Sequence, residues 1–355
     1  MLVDHFDFEL PSSLIAYRPV KPPSSSRMLV LDGNTCRDSS AYQLPNWLSC
    51  GDVLIFNDTR VLPSCLYAEI IGRIRNVDIM LIREISLNFW IARIYPASKV
   101  SSGDILNLPG NIRATITEKG DWGEVKLMLE AEDNKPVDVF LYLKTYGSMP
   151  LPPYITKHRR SDSQDIQDYQ TVFASRDGAI AAPTAALHFD DALLAALDAR
   201  GIITAPVTLH VGEGTFLPVR ASNTHDHVMH AEWGEITPQT AQIVNDAHKR
   251  GDRVIAIGTT SLRVLETATT DSGEIQSWLG MTDIFITPSY SFKCIDGIIS
   301  NLHPPRSTPF MLVCAFMGVD YMQKAYAHAI REKYRFCSYG DASLLLRDMQ
   351  HNLAL

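Results

Sequence analysis

Residues 254–266, VIAIGTTSLRVLE, place a short apolar run directly before a segment with helical periodicity. The run ends at Gly258, and three hydroxyl-bearing residues follow it: Thr259, Thr260 and Ser261. Because Ser and Thr are favoured where helices begin, we predict a strand that passes through the glycine into a helix. Such a unit is typical of an α/β domain in which helices connect the parallel strands of one sheet.

The same alternation of helix and strand extends through the second half of the chain. Residues 190–201, DDALLAALDARG, have helix signals at both ends, and so do residues 238–251, PQTAQIVNDAHKRG. Residues 202–211 and 283–290 are apolar runs of strand length, and the pattern from residue 308 onward is mostly helical. We therefore predict an α/β domain with a largely parallel sheet and flanking helices.

Residues 61–149 have a different pattern, in which short runs of alternating apolar and polar residues are separated by Gly, Asp and Asn. These runs predict a small antiparallel β-barrel, or a sandwich, inserted into the α/β domain. The α/β domain then comprises residues 1–60 and 150–355. The six predicted strands are LYAEII, VDIMLIREI, NFWIARIY, IRATIT, WGEVKLMLE and VDVFLYL.

The composition of the chain narrows its class. Of 355 residues, 46% are hydrophobic and 20% are charged, which is ordinary for a globular protein. The N-terminus has no basic region, which argues against a signal peptide, and the longest apolar run is too short to cross a bilayer. We therefore expect a cytoplasmic protein without a membrane partner. None of the six cysteines forms a C-x-x-C pair, so neither a disulfide framework nor a zinc knuckle is predicted.

The formal net charge of -8 argues against a protein that merely coats nucleic acid. If the chain binds RNA, it must do so through a local basic patch. The densest basic cluster, Lys157, His158, Arg159 and Arg160, lies in the proline-rich segment after the predicted barrel. This cluster is either a solvated loop or a contact to phosphate groups.

Residues 207–216, VTLHVGEGTF, end a strand on Gly212 and Gly214, as many nucleotide-binding loops begin. A dinucleotide fingerprint needs a third glycine at the start of a helix, whereas this chain has Leu217 there, followed by a proline. We therefore reject a dinucleotide site. The glycines either form a tight turn or let backbone N–H groups approach a ligand. His210, near the strand end, is either a core histidine or a ligand contact.

The segment HDHVMHAEWGE, residues 225–235, contains the most metal-like group of side chains: His225, His227, His230 and Glu232. Zinc accepts three histidines, or two with a carboxylate. However, the spacing matches no zinc signature, and no helical pattern aligns these residues. Hydrogen bonding or general acid–base catalysis suits them as well.

Other polar residues follow predicted strands or lie in loops between α/β elements, where ligands commonly bind. The N-terminus of the helix after Gly258 is either an anion site or a plainly capped helix end. A simple Asx turn is the alternative to a ligand site after the strand at residues 53–56. The candidates are Asp58, Thr59 and Arg60 after that strand, His188 and Phe189 before a helix, and Asn301 and His303 in a proline-rich loop.

The motifs also form an ordered set between residues 6 and 316. They are FDFELPSSLIA, SSSRMLVLD, GDVLIFNDTRVLP, MPLPPYI, YQTVFA, AAPTAALHF, VTLHVGEGTFLPV, HVMHAEW, IAIGTTSLRVLE, DIFITPSYSFK and STPFMLVCAF. Together they resemble the S-adenosylmethionine:tRNA ribosyltransferase-isomerases of queuosine biosynthesis. One motif alone would be a weak indication, whereas so many in the same order are highly specific.

The resemblance implies a reaction. The ribosyl part of S-adenosylmethionine is transferred to the aminomethyl group of a 7-deazaguanine at the tRNA wobble position and is isomerised to an epoxycyclopentanediol. Adenine and methionine leave, and the product is epoxyqueuosine in tRNA. The resemblance also implies an α/β domain with an inserted β-barrel, and no metal or cofactor besides the substrate S-adenosylmethionine. For the oligomeric state we expect a monomer or a weak homo-oligomer.

The implied chemistry suggests roles for the candidate residues. A base must remove a C5′ proton that the sulfonium acidifies, and a proton donor would help adenine to leave. The candidates for these catalytic roles are His210, His230 and Glu232. Predicted substrate contacts are Asp58, Thr59, Arg60, His188, Phe189, Gly212, Gly214, Thr215, Asn301 and His303, with Thr259, Thr260, Ser261 and Arg263 for the methionine carboxylate. Predicted tRNA contacts are Lys157, Arg159 and Arg160.

The chain departs from the family pattern at five positions. Glu213 replaces a small residue, Ala186 and Ser289 replace glycines, and Pro305 and Pro309 stand where aliphatic residues are expected. These changes affect the expected loop shapes more than the expected reaction. Two other classes of protein stay open as alternatives: a non-catalytic RNA-binding module, and a metal-dependent hydrolase that uses the histidine cluster.

Overall fold

The computed structural model describes residues 1–73, 76–131, 137–216 and 219–347. Its contacts divide the chain into two compact units. Residues 150–169, which the sequence pattern placed in the α/β domain, group by their contacts with the second unit. The first unit contains Met1–Arg60, Gln170–Asp177 and the described part of Ala182–Leu355, and the second contains Val61–Tyr169 and Gly178–Ala181.

The secondary-structure elements are numbered in chain order. The strands are β1 (Arg27–Asp32), β2 (Thr35–Ser40), β3 (Val53–Asn57), β4 (Thr59–Val61), β5 (Cys65–Ile70), β6 (Asn76–Ser86), β7 (Phe89–Tyr95), β8 (Ile105–Leu108), β9 (Ile112–Lys119), β10 (Glu124–Ala131), β11 (Arg176–Ala179), β12 (Ile203–Leu209), β13 (Glu232–Ile236), β14 (Val254–Ile257), β15 (Trp278–Thr282), β16 (Gly297–Asn301) and β17 (Ala342–Leu346). The α-helices are α1 (Val139–Tyr146), α2 (Pro153–Thr156), α3 (Asp165–Asp168), α4 (Asp191–Ala199), α5 (Pro238–Arg250), α6 (Gly258–Ala268), α7 (Thr308–Met317) and α8 (Val319–Arg331).

The first unit is built on a nine-stranded sheet with the order β15-β13-β12-β3-β14-β16-β17-β1-β2. Strands β12, β3, β14 and β16 run parallel to one another, and β17 runs parallel to β1. The remaining neighbours are antiparallel, so the sheet is mixed towards both edges. This arrangement, with its helices, confirms the predicted α/β class, whereas the sheet as a whole is mixed with a parallel centre, rather than largely parallel as predicted.

The predicted strand–glycine–helix unit forms as expected. Every residue of β14 is buried, and Gly258 has φ +87°, a value that suits glycine at the sharp passage into α6. Helix α4 begins after Asp190, whose side chain accepts a hydrogen bond from the N–H of Leu193. Helix α5 ends at Gly251 in the left-handed conformation. The end signals in the sequence therefore located these helices correctly.

Two predictions for this unit are wrong. Residues 283–290 form no strand, because the strand of this region is β15, at Trp278–Thr282. Strand β16 lies where the sequence suggested only a loop. The described tail is mostly helical as predicted, in α7 and α8, but it also contains strand β17, which was not predicted. Each of these strands has only five residues, and β16 and β17 are buried throughout, so neither shows the alternation that marks a half-buried strand.

The second unit contains a closed antiparallel barrel with the strand order β10-β7-β6-β5-β8-β9, which confirms the predicted barrel. Alternate residues of its strands point inward and form one apolar core. The predicted sixth strand, VDVFLYL, is wrong: it lies mostly in α1, whose first turn is capped by the side chain of Asp138. The strand that closes the barrel in its place is β8, which has four residues and was not predicted.

The helices are short in both units. Within the described residues, no helix combines the length and the apolar character needed to cross a membrane.

Candidate active site

The predicted site residues of the first unit gather at one edge of the nine-stranded sheet. The parallel strands β3, β12, β14 and β16 end there, followed or closed by Asp58, His210, Gly258 and Asn301 respectively. Glu232 opens β13, which runs antiparallel to β12 and therefore begins at the same edge. The carboxyl edge of parallel strands is where α/β folds commonly bind ligands.

His210 is held in place by three contacts. Its backbone N–H donates to the carbonyl oxygen of Trp233 at 2.9 Å, and its ring stacks on the Trp233 ring with centroids 4.9 Å apart. Its Nδ1 shares a 2.8 Å hydrogen bond with the hydroxyl of Thr59, which is fully buried. No described residue bonds to Nε2, so this nitrogen is available to a ligand.

The surroundings of His210 favour its neutral form. Burial lowers the pKa of His210, and the nearby Arg176 lowers it further, whereas Asp58 and Asp177 oppose the shift. Because a histidine in water already titrates below pH 7, this imidazole is uncharged at neutral pH. A neutral imidazole with one free nitrogen can accept a proton or donate a hydrogen bond.

Glu232 is buried, and both of its carboxylate oxygens are occupied. Oε1 accepts the backbone N–H of Gly212 at 2.8 Å, and Oε2 is bonded by the guanidinium of Arg263. Arg263 also donates to the carbonyl oxygen of Ile284 at 3.2 Å. The ion pair thus ties the glycine loop to α6. The predicted role of Glu232 as a base fits this arrangement poorly, because a substrate proton would have to displace one of these donors.

Gly214 is needed for a close contact. A Cβ atom built at this position would lie 2.7 Å from Cδ2 of His230, so any larger residue would displace that ring. At Gly212 the nearest atom to such a Cβ would be Oε1 of Glu232, at the ordinary distance of 3.8 Å. His230 and Thr215 are exposed beside this turn. The proline that helped to reject a dinucleotide site, and Leu217 before it, lie outside the described residues.

The N-terminus of α6 has no side-chain cap. The hydroxyl of Ser261 donates back to the carbonyl oxygen of Ile257 at 2.8 Å, and Arg263 is bonded to Glu232, so both are used within the protein. The hydroxyl oxygen of Thr260 is buried, and no described residue bonds to it. Of the groups predicted to bind an anion here, those that remain available are Thr260, its neighbour Thr259 and the free N–H groups of the first helical turn.

His188 and Asn301 form a buried polar cluster at the end of β16. Nδ1 of His188 shares a 2.8 Å hydrogen bond with Ser26, and Nε2 lies 3.2 Å from the side-chain nitrogen of Asn301. The carbonyl oxygen of the Asn301 side chain accepts from Thr184 at 2.8 Å. Burial lowers the pKa of His188 to about 4. These residues satisfy one another, which suits a structural role.

His303 and Phe189 are also engaged within the fold. Nε2 of His303 shares a 2.7 Å hydrogen bond with Ser300, and burial lowers the pKa of His303 to about 3. Phe189 is buried, and its ring lies 5.5 Å from that of Phe173. Both residues were predicted to contact the substrate, and in the structure both contact other side chains of the protein.

Asp58 and Arg60 lie on either side of Thr59. The carboxylate of Asp58 accepts hydrogen bonds from Thr208 at 2.7 Å and from Ser175 at 3.2 Å. Arg60 donates to the carbonyl oxygen of Ala174 at 2.8 Å. Both side chains are only partly buried, so each keeps a face towards solvent.

The four metal-like residues do not converge. His225 pairs with the adjacent Asp226 at 3.0 Å on the surface, and the ring of His227 packs against Phe285 at 5.1 Å. His230 lies against Gly214 and Glu232 is paired with Arg263. Across the described ranges, no three His, Cys, Asp or Glu side chains are grouped so as to hold a metal ion.

In the second unit, the basic cluster divides into two kinds of residue. Arg159 makes two hydrogen bonds, at 2.6 and 2.7 Å, to the fully buried carboxylate of Asp165. Lys157 and Arg160 are exposed at the surface. Arg159 therefore fixes this segment locally, and Lys157 and Arg160 are the members that remain open to a phosphate group.

Arg176, Trp233 and Thr208 all surround the site, although the sequence pattern did not predict them as site residues. Arg176 donates to Thr208 at 3.0 Å and lies above the Trp233 ring. They belong to three different strands, β11, β13 and β12. Trp233 lies inside the histidine-rich segment 225–235, which the sequence did indicate as a candidate site. The three side chains come together, however, only through strand pairing in the folded protein.

Comparisons with known proteins agree over nearly the whole chain. A family model described as queuosine biosynthesis protein matches residues 3–345. A relative from Novosphingobium aromaticivorans is 52% identical over 98% of this chain and 100% of its own length, and one from Sphingopyxis alaskensis is 51% identical over 98% and 97%. Both are named S-adenosylmethionine:tRNA ribosyltransferase-isomerase.

A solved structure agrees as well. The crystal structure of S-adenosylmethionine tRNA ribosyltransferase from Thermotoga maritima is 29% identical, with a TM-score of 0.54 over 96% of this chain and 100% of that one. Sequence and fold therefore lead to the same family. The chain belongs to the queuosine biosynthesis proteins, the family of the S-adenosylmethionine:tRNA ribosyltransferase-isomerases.

Proposed function

We propose that this chain transfers the ribosyl group of S-adenosylmethionine to the aminomethyl-deazaguanine at the tRNA wobble position and isomerises it, which gives epoxyqueuosine-tRNA, adenine and methionine. The observation that carries the proposal is the family match from residue 3 to residue 345. The polar groups at the carboxyl edge of the parallel strands support it, because the substrate of an α/β enzyme commonly binds there.

His210 is the proposed base. The sulfonium of the substrate acidifies the C5′ protons, and a neutral imidazole with a free nitrogen can remove one of them. The lowered pKa of His210 keeps the ring neutral, and Thr59 and Trp233 hold it in one orientation. His230, which is exposed against Gly214, is the proposed donor to the departing adenine. Glu232 supports both residues by anchoring the glycine loop between them.

The start of α6 is the proposed site for the methionine carboxylate. Free N–H groups at a helix N-terminus attract anions, and the unbonded hydroxyl of Thr260 offers a further donor. Ser261 and Arg263 act indirectly here, since both are bonded within the protein. Asp58 and Arg60, each partly exposed on either side of Thr59, are the proposed contacts to the adenosine or to the tRNA base.

The second substrate is tRNA. Lys157 and Arg160 are proposed to contact phosphate groups of the anticodon arm. The wobble base is proposed to unstack and enter the site of the first unit. No metal and no cofactor besides S-adenosylmethionine is proposed to take part. Because tRNA matures in the cytoplasm, the chain is proposed to act there, as a monomer or a weak homo-oligomer.

The decisive experiment measures adenine release from S-adenosylmethionine. We expect release that depends on tRNA carrying the aminomethyl-deazaguanine and that continues in EDTA. Unmodified tRNA with guanine at the wobble position is the matched control. Binding of tRNA without any adenine release would contradict the proposal and favour a non-catalytic RNA-binding module. Activity that EDTA abolishes and zinc restores would favour a metal-dependent hydrolase.

A further inference from the structure

Three side chains form a continuous contact beside Asp58. The guanidinium carbon of Arg176 lies 5.3 Å from the centre of the Trp233 ring, and the Trp233 ring stacks on His210 at 4.9 Å with an interplanar angle of 21°. Guanidinium and indole attract each other through the charge of one and the π-electrons of the other. The imidazole is thus linked to a cation through an aromatic ring.

Arg176 is fixed at its other end by hydrogen bonds. It donates to the hydroxyl of Thr208 at 3.0 Å and to the carboxylate of Glu235 at 2.7 Å. The hydroxyl of Thr208 in turn donates to Asp58 at 2.7 Å. Thr208 and Glu235 face each other across the antiparallel pair of β12 and β13. The guanidinium therefore cannot move away from Trp233 without breaking contacts to two strands.

We infer that Arg176 is a positioning residue for the reaction, which acts through Trp233 to hold the His210 ring uncharged and aimed at the substrate. This inference rests on the proposed function, in which His210 is the base. Arg176 itself needs no contact with the reacting atoms, because its effect reaches the imidazole through the stacked ring and through its charge.

The charges around His210 agree with this role. Of the groups that act on the ring, Arg176 disfavours a second positive charge, while Asp58 and Asp177 favour one. Burial is the largest cause of the lowered pKa of His210, and the charge of Arg176 adds to it. Glu235 pairs with Arg176 and keeps the guanidinium from being an isolated charge. Arg60 pairs with Asp177 at 3.5 Å. Without Arg176 it is therefore Asp58 whose charge would act on the imidazole without a paired cation.

The test compares Arg176→Gln with Arg176→Lys and follows both activity and the histidine itself. The glutamine keeps a hydrogen-bond donor for Thr208 but lacks the charge and the planar cation. We expect the acidic limb of kcat/KM for adenine release to move up by roughly 0.5–1 pH unit, so that activity at pH values well below the wild-type limb falls about three- to tenfold more than at pH 8. Lysine keeps the charge and should reduce the shift.

NMR titration of His210 in the free protein provides the second measurement. The imidazole pKa should rise in Arg176→Gln by the same amount as the kinetic limb. Arg250→Gln, which removes an exposed guanidinium paired with Asp252, is the matched control. It should change neither the pKa of His210 nor the acidic limb of kcat/KM. The melting temperature of each variant shows whether it is folded, and Arg176→Met, which also lacks the charge, serves as the test if the glutamine variant is not.

If Arg176→Gln loses the same fraction of its activity at every pH, or if the pKa of its His210 does not change, the inference is overturned and Arg176 is a purely structural residue. A titration that moves without the kinetic limb would also overturn it, because the ring would then not limit the reaction. Failure of the proposed function has a different signature, since the wild-type protein itself would then release no tRNA-dependent adenine.

Discussion

Two regions at the carboxyl edge of the nine-stranded sheet each hold a histidine, and they differ in what the ring nitrogens contact. Beside the end of β12, His210 shares Nδ1 with Thr59, and no described residue bonds to its Nε2. Beside the end of β16, His188 has Ser26 at Nδ1 and Asn301 at Nε2. Both rings are largely neutral, because burial lowers both pKa values. The number of occupied nitrogens, more than burial, therefore separates a catalytic candidate from a structural histidine.

The largest expected effect is on the rate. His210→Ala should lower kcat for tRNA-dependent adenine release by about 10²–10⁴-fold, the usual contribution of a general base. The free energy of unfolding should change little, because the ring is only partly buried. Steady-state kinetics with urea unfolding of the same preparation measures both quantities.

His225→Ala is the matched control, since this histidine is exposed and pairs only with its neighbour Asp226. It should keep the wild-type rate. A His210→Ala protein with near-normal kcat would remove the distinction between the two regions, because His210 would then be structural as well.

The second expected effect is on stability at Glu232. Glu232→Ala leaves the guanidinium of Arg263 buried without its carboxylate, which should lower the free energy of unfolding by about 3–5 kcal/mol. Glu232→Gln keeps the shape of the side chain and one acceptor for Gly212, so the decrease in its free energy of unfolding should be smaller. Urea unfolding checks both. If the glutamine variant is stable but loses as much activity as His210→Ala, Glu232 is catalytic and our assignment of it to loop anchoring is wrong.

The third expected effect is a pH dependence of the free energy of unfolding, to which His188 should contribute strongly. The pKa of His188 is lowered from 6.5 to about 4 in the folded protein, chiefly by burial. Between these values the unfolded chain binds more protons, so the contribution to stability is complete above about pH 6.5 and is lost as the pH falls towards 4. The loss should be about 3 kcal/mol.

Urea unfolding from pH 4 to pH 7.5 measures this dependence. His188→Gln cannot be protonated, so its stability should fall less steeply over the same window, although His303 still contributes a decline of the same sign. Parallel curves for the variant and the wild type would show that protonation of His188 does not change the free energy of unfolding, and the comparison of the two regions would fail.

The smallest effect concerns backbone conformation. Ser289, which replaces an expected glycine, has φ +86°, a left-handed value that is unfavourable for residues with a Cβ atom. Ser289→Gly should therefore raise the free energy of unfolding by up to about 1 kcal/mol, or roughly 2 °C in Tm. Ser291→Gly, in the same loop, should instead lower it slightly. A destabilised Ser289→Gly protein would mean that the serine side chain itself stabilises the loop.

The sequence predicted those parts of the molecule that depend on local chemistry. Asp190 and Gly201 mark the ends of α4 because a side-chain acceptor and a left-handed glycine are requirements of a helix end. The barrel was recognisable because its strands are half-buried and alternate. For residues 137–143 the same reasoning gave the wrong element. VDVFLYL is rich in strand-forming residues, yet the cap at Asp138 and packing on the barrel core make most of it a helix.

The sequence by itself determined the class of fold, the family, and the segments that supply the site, because each of these is written in short contiguous patterns. Only the tertiary structure decided which residues work together. Arg176, Trp233 and His210 lie in or after three strands that are far apart along the chain, and Glu232 was a potential base until Gly212 and Arg263 were seen to occupy it. The physical reason is that partners, burial and free lone pairs are set by strand pairing and packing between distant segments.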